Sequence, residues 1–323
     1  MKKILLIHTG GTISMKEDKS TGTVQQDRQN PLLESTGSIN KLANITVVEL
    51  FHLPSPHITE NEMLIMAKTI KEKIMQDSFE GVVITHGTDT LEETAYFLDL
   101  TISSNAPIVV TGAMRSSNEL GADGLYNLIS AIKVSACEDA RGKGVLVVLN
   151  DEIHTARNVT KTHTSNVATF QSPQYGPIGI VTKRGVSFYQ TPLNRQTFDI
   201  DSITKNVMLL KAYAGMDSIL LEAIKKLGID GLVIEALGQG NLPPAMVGGL
   251  NNLIKNDVPV VLVSRCFNGF VEDIYSYDGG GKQLKELGVI FSNGLNGQKA
   301  RLKLLIALEN NKNGNSLQEL FKQ

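Results

Sequence analysis

The chain has no tryptophan, only two cysteines, Cys137 and Cys266, and aromatic residues at just 5% of its 323 positions. Two cysteines so far apart do not make the disulfide framework of a small secreted scaffold, so both are expected to be reduced, structural thiols. Charge of one sign is missing too: 31 Lys and Arg stand against 33 Asp and Glu, a net charge of −2. No basic field recommends nucleic acid or an anionic membrane as partner, and a small neutral or zwitterionic ligand fits better. No apolar run approaches the roughly 20 residues of a membrane-spanning helix. After Met1-Lys2-Lys3 the run Ile4 to Ile7 falls short of the roughly 7 to 15 residues of a secretory signal core, so a cytoplasmic location is expected.

Several catalytic signatures are absent as well. There is no G-x-S-x-G elbow, no H-E-x-x-H and no C-x-x-C, and the 6 histidines show no ligand spacing. Gly238-Gln239-Gly240 lacks the third glycine of a dinucleotide fingerprint. Asp278-Gly279-Gly280-Gly281-Lys282 is followed by Gln283, where a phosphate loop needs Ser or Thr. These absences predict an active site with no metal and no cofactor.

What is present is the make-up of a globular protein, 41% hydrophobic and 20% charged, long enough for two ordinary domains. Short apolar runs alternate with helical patterns. Ile4 to Ile7, Ile45 to Phe51, Val82 to Ile84, Pro107 to Val110 and Gly144 to Leu149 read as strands. Thr59-Glu60-Asn61-Glu62 is a capping box followed by Met63, Met66, Ala67, Ile70 and Ile74 at helical spacing, and Thr90 with Glu93 makes a second box before Leu91, Ala95 and Leu98. A further helix is marked by Leu125, Leu128, Ile129, Ile132 and Ala136. This rhythm predicts an α/β protein: a larger N-terminal domain, 1–185, with a mainly parallel sheet flanked by helices, a linker over 186–205, and a smaller C-terminal α/β domain, 206–323, with its own parallel sheet. Met15 to Gln29 reads as a loop, in position to serve as a lid or as a solvated excursion, Leu53-Pro54-Ser55-Pro56 as a turn in which proline forbids helix, and the polar tail after Asn310 as a frayed end.

Hydroxyls gather at the predicted strand ends: Thr9 and Thr12 around Gly10-Gly11, Ser55, then Thr85, Thr88 and Thr90 with Asp89 among them, and Lys161 on a later loop. Singly, Thr12 ends a strand, Asp89 caps a helix and Lys161 is solvated. Their common address at the carboxyl edge of a parallel sheet is where such sheets keep ligands. A threonine hydroxyl needs a base to become a nucleophile. Lysine serves only when neutral, about three pKa units from its ordinary state, and a nearby Asp89 opposes that, so an Asp-Lys pair relays protons only in concert.

The stretches I-L-L-I-H-T-G-G-T-I-S and V-I-T-H-G-T-D-T-L-E-E-T-A resemble the two signatures of the bacterial-type L-asparaginases, and the likeness continues through T-G-A-M-R, V-T-K-T-H-T-S-N-V-A-T-F, G-Q-G-N and N-G-Q-K-A-R. The resemblance implies an amidohydrolase that converts the side-chain amide of L-asparagine to aspartate and ammonia. It makes Thr12 the nucleophile and Thr88, Asp89 and Lys161 a second catalytic group. It gives the α-carboxylate to Ser55, the substrate ammonium to Asp89, a main-chain contact to Ala113 and an oxyanion donor to the Thr88 N–H. Asn241 matches a residue that enters the site of a neighbouring subunit, which implies a homo-oligomer, dimer or tetramer. Three positions depart from the family: Gly22-Thr23 replaces a lid tyrosine, Pro56 offers no donor, and Ser276 stands where some members lend an acid across the interface. The absence of a signal core resembles the cytoplasmic type, while T-G-A-M-R and V-A-T-F look more like the secreted type. Alternatives are a mixed glutaminase-asparaginase, an amidotransferase-related subunit, whose extra N-terminal domain is not seen here, and a non-catalytic asparagine or aspartate sensor.

Overall fold

The computed structural model describes residues 1–18, 20–26, 39–192 and 195–322. Lys19 and residues 27–29 of the expected loop, 193–194 of the expected linker and the last residue of the tail lie outside the described residues. The chain divides into two compact units, Met1–Thr197 and Phe198–Gln323.

In the first unit, strand β1 (Lys3–His8) leads through a 3-10 turn, Thr12–Ser14, into a short hairpin of β2 (Met15–Glu17) and β3 (Val24–Gln26). Part of the expected loop is therefore an antiparallel ladder, Met15 opposite Gln26 and Glu17 opposite Val24. Strand β4 (Asn44–Glu49) is followed by helix α1 (Glu60–Asp77), β5 (Gly81–Thr85), α2 (Leu91–Thr101), β6 (Ile108–Thr111), α3 (Gly124–Ser135) and β7 (Val145–Leu149). Then come β8 (Glu152–Thr155), the two-residue strands β9 (Thr160–Lys161) and β10 (Phe170–Gln171), β11 (Gly179–Thr182) and β12 (Gly185–Phe188).

One eight-stranded sheet runs in the order β12-β11-β8-β7-β6-β5-β1-β4. Its β4-β1-β5-β6-β7 part is parallel, and β7, β8, β11 and β12 pair antiparallel. The antiparallel turn arises because Asn150 and Asp151 both adopt positive φ, 50° and 67°, the conformation of a tight hairpin turn. The parallel strands are apolar end to end because helices cover them: Ile4 to Ile7, Val82 to Ile84 and Val145 to Val148 are all buried, together with Leu128, Ala131 and Ile132 of α3. The chain runs from β1 outward to β4 and then back to β5 on the other side of β1. That reversal puts a topological switch point beside β1, with a crevice at the strands' carboxyl ends.

Local differences from the sequence reading have physical causes. The Thr59–Glu62 capping box forms, and Met63, Met66, Ala67 and Ile70 are buried below it. The box at Thr90 does not form, because the Thr90 hydroxyl donates to Ser55 O at 2.8 Å instead of capping α2. Ser55–His57 is one 3-10 turn despite its prolines, since Pro56 sits in the first turn, where no N–H is required of it. Leu125 is 40% exposed, so the buried face of α3 is one of Leu128, Ala131, Ile132 and Val134. Residues 186–188, expected to begin the interdomain connection, lie in the edge strand β12. Arg195, expected within that connection, is fastened to the first unit through Asp99 Oδ1 (3.0 Å) and Ile102 O (3.0 Å).

The second unit holds a four-stranded parallel sheet in sequential order, β13 (Val207–Lys211), β14 (Gly231–Ala236), β15 (Val260–Ser264) and β16 (Ile290–Phe291). Helices α4 (Ile219–Lys226), α5 (Pro244–Ile254), α6 (Gly281–Glu286), α7 (Gly297–Glu309) and α8 (Gly314–Phe321) accompany it. In α4 the buried residues are Leu221 and Ile224, while Leu220 and Leu227 are exposed. The expected frayed tail is α8, because Leu317 and Phe321, four residues apart, are buried and Lys303 Nζ donates to Leu320 O at 2.8 Å.

Candidate active site

The site grows from the ends of β1, β4, β5 and β6. After His8 the chain turns through Gly10 (φ 103°) and Gly11 (φ 84°, ψ 177°), backbone conformations open to glycine alone. A Cβ on Gly11 would stand 2.2 Å from Gly87 Cα, and one on Gly87 would stand 2.8 Å from Ser55 Oγ. Three turns thus meet with no room for a side chain between them. Thr9 serves this meeting, both its N–H (3.1 Å) and its hydroxyl (2.9 Å) donating to Thr85 O. Thr12, one residue past the contact, is half-buried, and its hydroxyl has no hydrogen-bond partner among the described residues.

The second turn carries Thr88, buried, and Asp89, whose side chain is 61% exposed. Lys161 Nζ donates to Thr88 Oγ1 at 3.0 Å and to Asp89 Oδ1 at 2.7 Å. The Asp89 N–H donates to Ser55 Oγ at 3.2 Å, so Ser55 is tied to this turn by its hydroxyl and by its carbonyl, which accepts from Thr90. The Thr88 N–H has no partner among the described residues. Ala113 is buried at the end of β6. Its turn is clamped by α3: Asp123 accepts from the Met114 and Arg115 N–H groups, both at 3.0 Å, and Asn127 Nδ2 donates to Gly112 O at 3.0 Å. The hairpin after Thr12 is fastened nearby, where the Asn118 amide bonds both the N–H (2.8 Å) and the carbonyl (2.9 Å) of Glu17. An open cleft of ≈ 370 Å³ is lined by Asp89, Glu92, Lys161, Thr162, His163 and Thr164.

Behind these turns lie two buried histidines, His86 and His8. His86 is fully buried, its Nδ1–H donating to Gly87 O at 2.8 Å while Nε2 accepts from Thr94 Oγ1 at 3.0 Å. Burial lowers its pKa to about 4, and burial does the same for His8, also to about 4. His8 Nδ1 lies 2.7 Å from Thr85 Oγ1.

Of the residues singled out in the sequence, Thr12, Ser55, Thr88, Asp89 and Ala113 belong to the carboxyl-edge turns of this one unit, and Lys161 reaches Thr88 and Asp89 from the short strand β9 of the same unit. Asn241 belongs to the other unit, in the turn after β14, where its Oδ1 accepts from the Gly281 N–H at 3.2 Å. Glu92, Thr160, Asp123 and Asn127 were missed. For Glu92 a signal existed: it lies at helical spacing with Ala95 and Tyr96 on the buried stripe of α2, and is itself only 4% exposed. Among the described residues no cluster of His, Cys, Asp and Glu could hold a metal ion, and no helix is long and apolar enough to cross a membrane.

A hydroxyl-lined switch-point site in a large, mainly parallel sheet, followed by a second unit with its own parallel sheet, defines a two-domain α/β protein with its candidate active site at the carboxyl edge of the larger sheet. Residues 3–194 match the family model described as "Asparaginase, N-terminal" and residues 206–321 the one described as "Glutaminase/Asparaginase C-terminal domain". The chain belongs to the asparaginase family. It is 36% identical to the L-asparaginase of Bacillus licheniformis, over 97% of both chains, and 35% identical to L-asparaginase 2 of Escherichia coli, over 100% of this chain and 93% of that one. The glutaminase-asparaginase of Pseudomonas aeruginosa is 32% identical over 99% of this chain and 90% of that protein. A solved structure, a probable cytoplasmic L-asparaginase from Campylobacter jejuni, superposes with a TM-score of 0.89 at 34% identity, covering 99% of each chain.

Proposed function

We propose that this chain is an L-asparaginase that uses Thr12 as nucleophile and Thr88, Asp89 and Lys161 as its partner group. The observation that carries the reading is the Lys161 ammonium bound at once to Thr88 Oγ1 and Asp89 Oδ1, on a turn that touches the Thr12 turn at Gly11 and Gly87. Thr12 Oγ adds to the amide carbon as its proton passes to the amide nitrogen. The C–N bond breaks, ammonia leaves, and an acyl-threonine remains. Water adds to that ester, the proton returns to Thr12 Oγ, and aspartate departs. Lys161 fills a lone pair of Thr88 Oγ1 and leaves the Thr88 proton free to turn toward substrate or water. Because Nζ donates to both neighbours, a proton given up by Thr88 is replaced from Lys161 in the same event. The unpartnered Thr88 N–H suits the developing oxyanion, a role worth about 3–4 kcal/mol when one such donor is lost.

Ser55 takes the substrate carboxylate, the exposed carboxylate of Asp89 takes its ammonium, and the Ala113 main chain borders the amide. Asn241 joins the site of a neighbouring subunit in a homo-oligomer. The protein works in the cytoplasm, a reading supported by its likeness to the Campylobacter protein, itself described as a probable cytoplasmic L-asparaginase. A second reading, activity on glutamine as well, is favoured by the glutaminase-asparaginases among the relatives. One methylene is worth only about 1–3 kcal/mol in such a pocket. The test is ammonia release from L-asparagine and L-glutamine by the wild-type chain and by Thr12→Val. Release from asparagine, lost by more than about 10³-fold in the folded variant, supports the proposal. A Thr12→Val protein with wild-type turnover ends it.

A further inference from the structure

We propose that Glu92 is a positioning residue for Lys161, an inference that rests on the catalytic role given to Lys161 above. Lys161 lies on β9, a strand of only two residues whose ladder is the pairing of Phe170 with Lys161 and Gln171 with Thr160. So short a ladder does little to fix where a backbone stands. Thr162 extends the hairpin, its N–H and its hydroxyl both donating to Thr169 O at 2.8 Å, but these bonds stay within the hairpin, and its tie to α2 runs through Glu92. Glu92 Oε1 accepts the Thr160 hydroxyl at 3.0 Å and the Lys161 N–H at 3.2 Å.

The arrangement holds Lys161 at both ends from one helix start. Its main chain is gripped by Glu92 in the first turn of α2, and its ammonium by Thr88 and Asp89 in the turn just before that helix. Between these anchors runs a flexible four-carbon stem, and a reach fixed at one end only would leave Nζ free to wander. Because both anchors ride on the same element, movement of α2 carries Thr88, Asp89 and the Lys161 backbone together, and the 3.0 Å contact from Nζ to Thr88 survives. Glu92 is only 4% exposed, and the N-terminal turn of a helix is an electrostatically favourable place for a carboxylate. A buried acid held there to receive two donors from a separate hairpin has a positional purpose that packing alone does not give it. Thr160, buried at 7% exposure, is the second half of the device.

The role is distinct from catalysis, since Glu92 acts on Lys161 through its backbone. The test is steady-state ammonia release from L-asparagine by the full chain, with kcat and KM separated, for Glu92→Ala, Glu92→Gln, Lys161→Met and the double variant. Glu92→Ala is expected to lower kcat by about 10- to 100-fold, as displaced catalytic groups do, and KM far less. Glu92→Gln keeps a carbonyl oxygen able to accept both donors and restores most of the rate. In the Lys161→Met background Glu92→Ala adds nothing, because its whole effect runs through Lys161. If Glu92→Ala does not fold, Thr160→Val removes one donor and lowers kcat by about 3- to 10-fold, and Thr160→Ser recovers it. An undiminished kcat in Glu92→Ala or Thr160→Val, beside an inactive Lys161→Met, overturns this inference alone. An equal loss from Glu92→Ala with and without Lys161 overturns it too, by making Glu92 merely structural. Wild-type turnover in Lys161→Met removes the catalytic reading and the inference with it.

Discussion

Lys161 offers one ammonium to two acceptors, and their different exposure separates what each does. Asp89 is open to solvent, so the 2.7 Å ion pair is screened and contributes little to folding, whereas Thr88 is buried and its 3.0 Å contact is protected. Lys161→Met therefore leaves no buried charge stranded. It is expected to fold with a melting temperature close to that of the wild type and to lose about 10²- to 10⁴-fold in kcat, the span assigned to proton-transfer groups, as measured by ammonia release alongside thermal unfolding. Thr12→Val should likewise be close to neutral for stability, because the Thr12 hydroxyl has no partner to lose among the described residues. At this scale the proposed set is one the sequence offers as candidates, since hydroxyls after strand ends are visible in one dimension. The sequence did not expose Glu92 or Thr160, because a two-donor grip between residues 92, 160 and 161 exists only once a helix start and a distant hairpin are folded together.

The turn after β1 is the element on which the site depends. Gly11 combines a glycine-only conformation with an approach to Gly87 that no Cβ can share, at 2.2 Å to its Cα and 2.3 Å to its nitrogen. Gly11→Ala is expected to cost at least about 2 kcal/mol and to push the Thr12 and Thr88 turns apart, so that stability by chemical denaturation and kcat fall together. Strand and helix existence could be read along the chain because buried parallel strands are continuous apolar runs and α1 carries its own capping box. The box at Thr90 was misread for a tertiary reason: the hydroxyl found the Ser55 carbonyl, an acceptor 35 residues away. The tail was misread because α8 owes its order to a buried lysine and apolar contacts within the second unit, not to a long amphipathic pattern.

For the molecule as a whole, the two buried histidines contribute a pH dependence of stability of definite sign. Burial lowers His8 and His86 from 6.5 to about 4, so both are neutral in the fold where an unfolded chain would bind protons. The unfolded state therefore takes up more protons between pH 6.5 and 4, and stability is complete above that window and lost as pH falls through it. Each histidine accounts for roughly 3 kcal/mol at most, and replacing His86 by Asn should flatten the slope of unfolding free energy against pH. A melting temperature that does not change from about pH 7 to about pH 4.5 would contradict this. The proposed homo-oligomer is checked by native mass measurement over a range of protein concentrations, with activity followed in parallel. Loss of activity on dissociation is expected if Asn241 completes a neighbour's site.

The sequence by itself determined the α/β class, the alternation that yields two sheets, and the family, because these depend on periodicity and on motifs of adjacent residues. It also placed Thr12, Ser55, Thr88 and Asp89 after strand ends and Lys161 on a later loop, which the structure shows as the short strand β9. The tertiary structure alone decided that β8, β11 and β12 run against the parallel strands, where the 150–151 turn takes positive φ, and that Arg195 belongs with the first unit. It alone decided how Lys161 is held. Hydrogen bonds between residues some 70 positions apart are set by the packing of helix on sheet, and a linear pattern of residue types carries no distance between them.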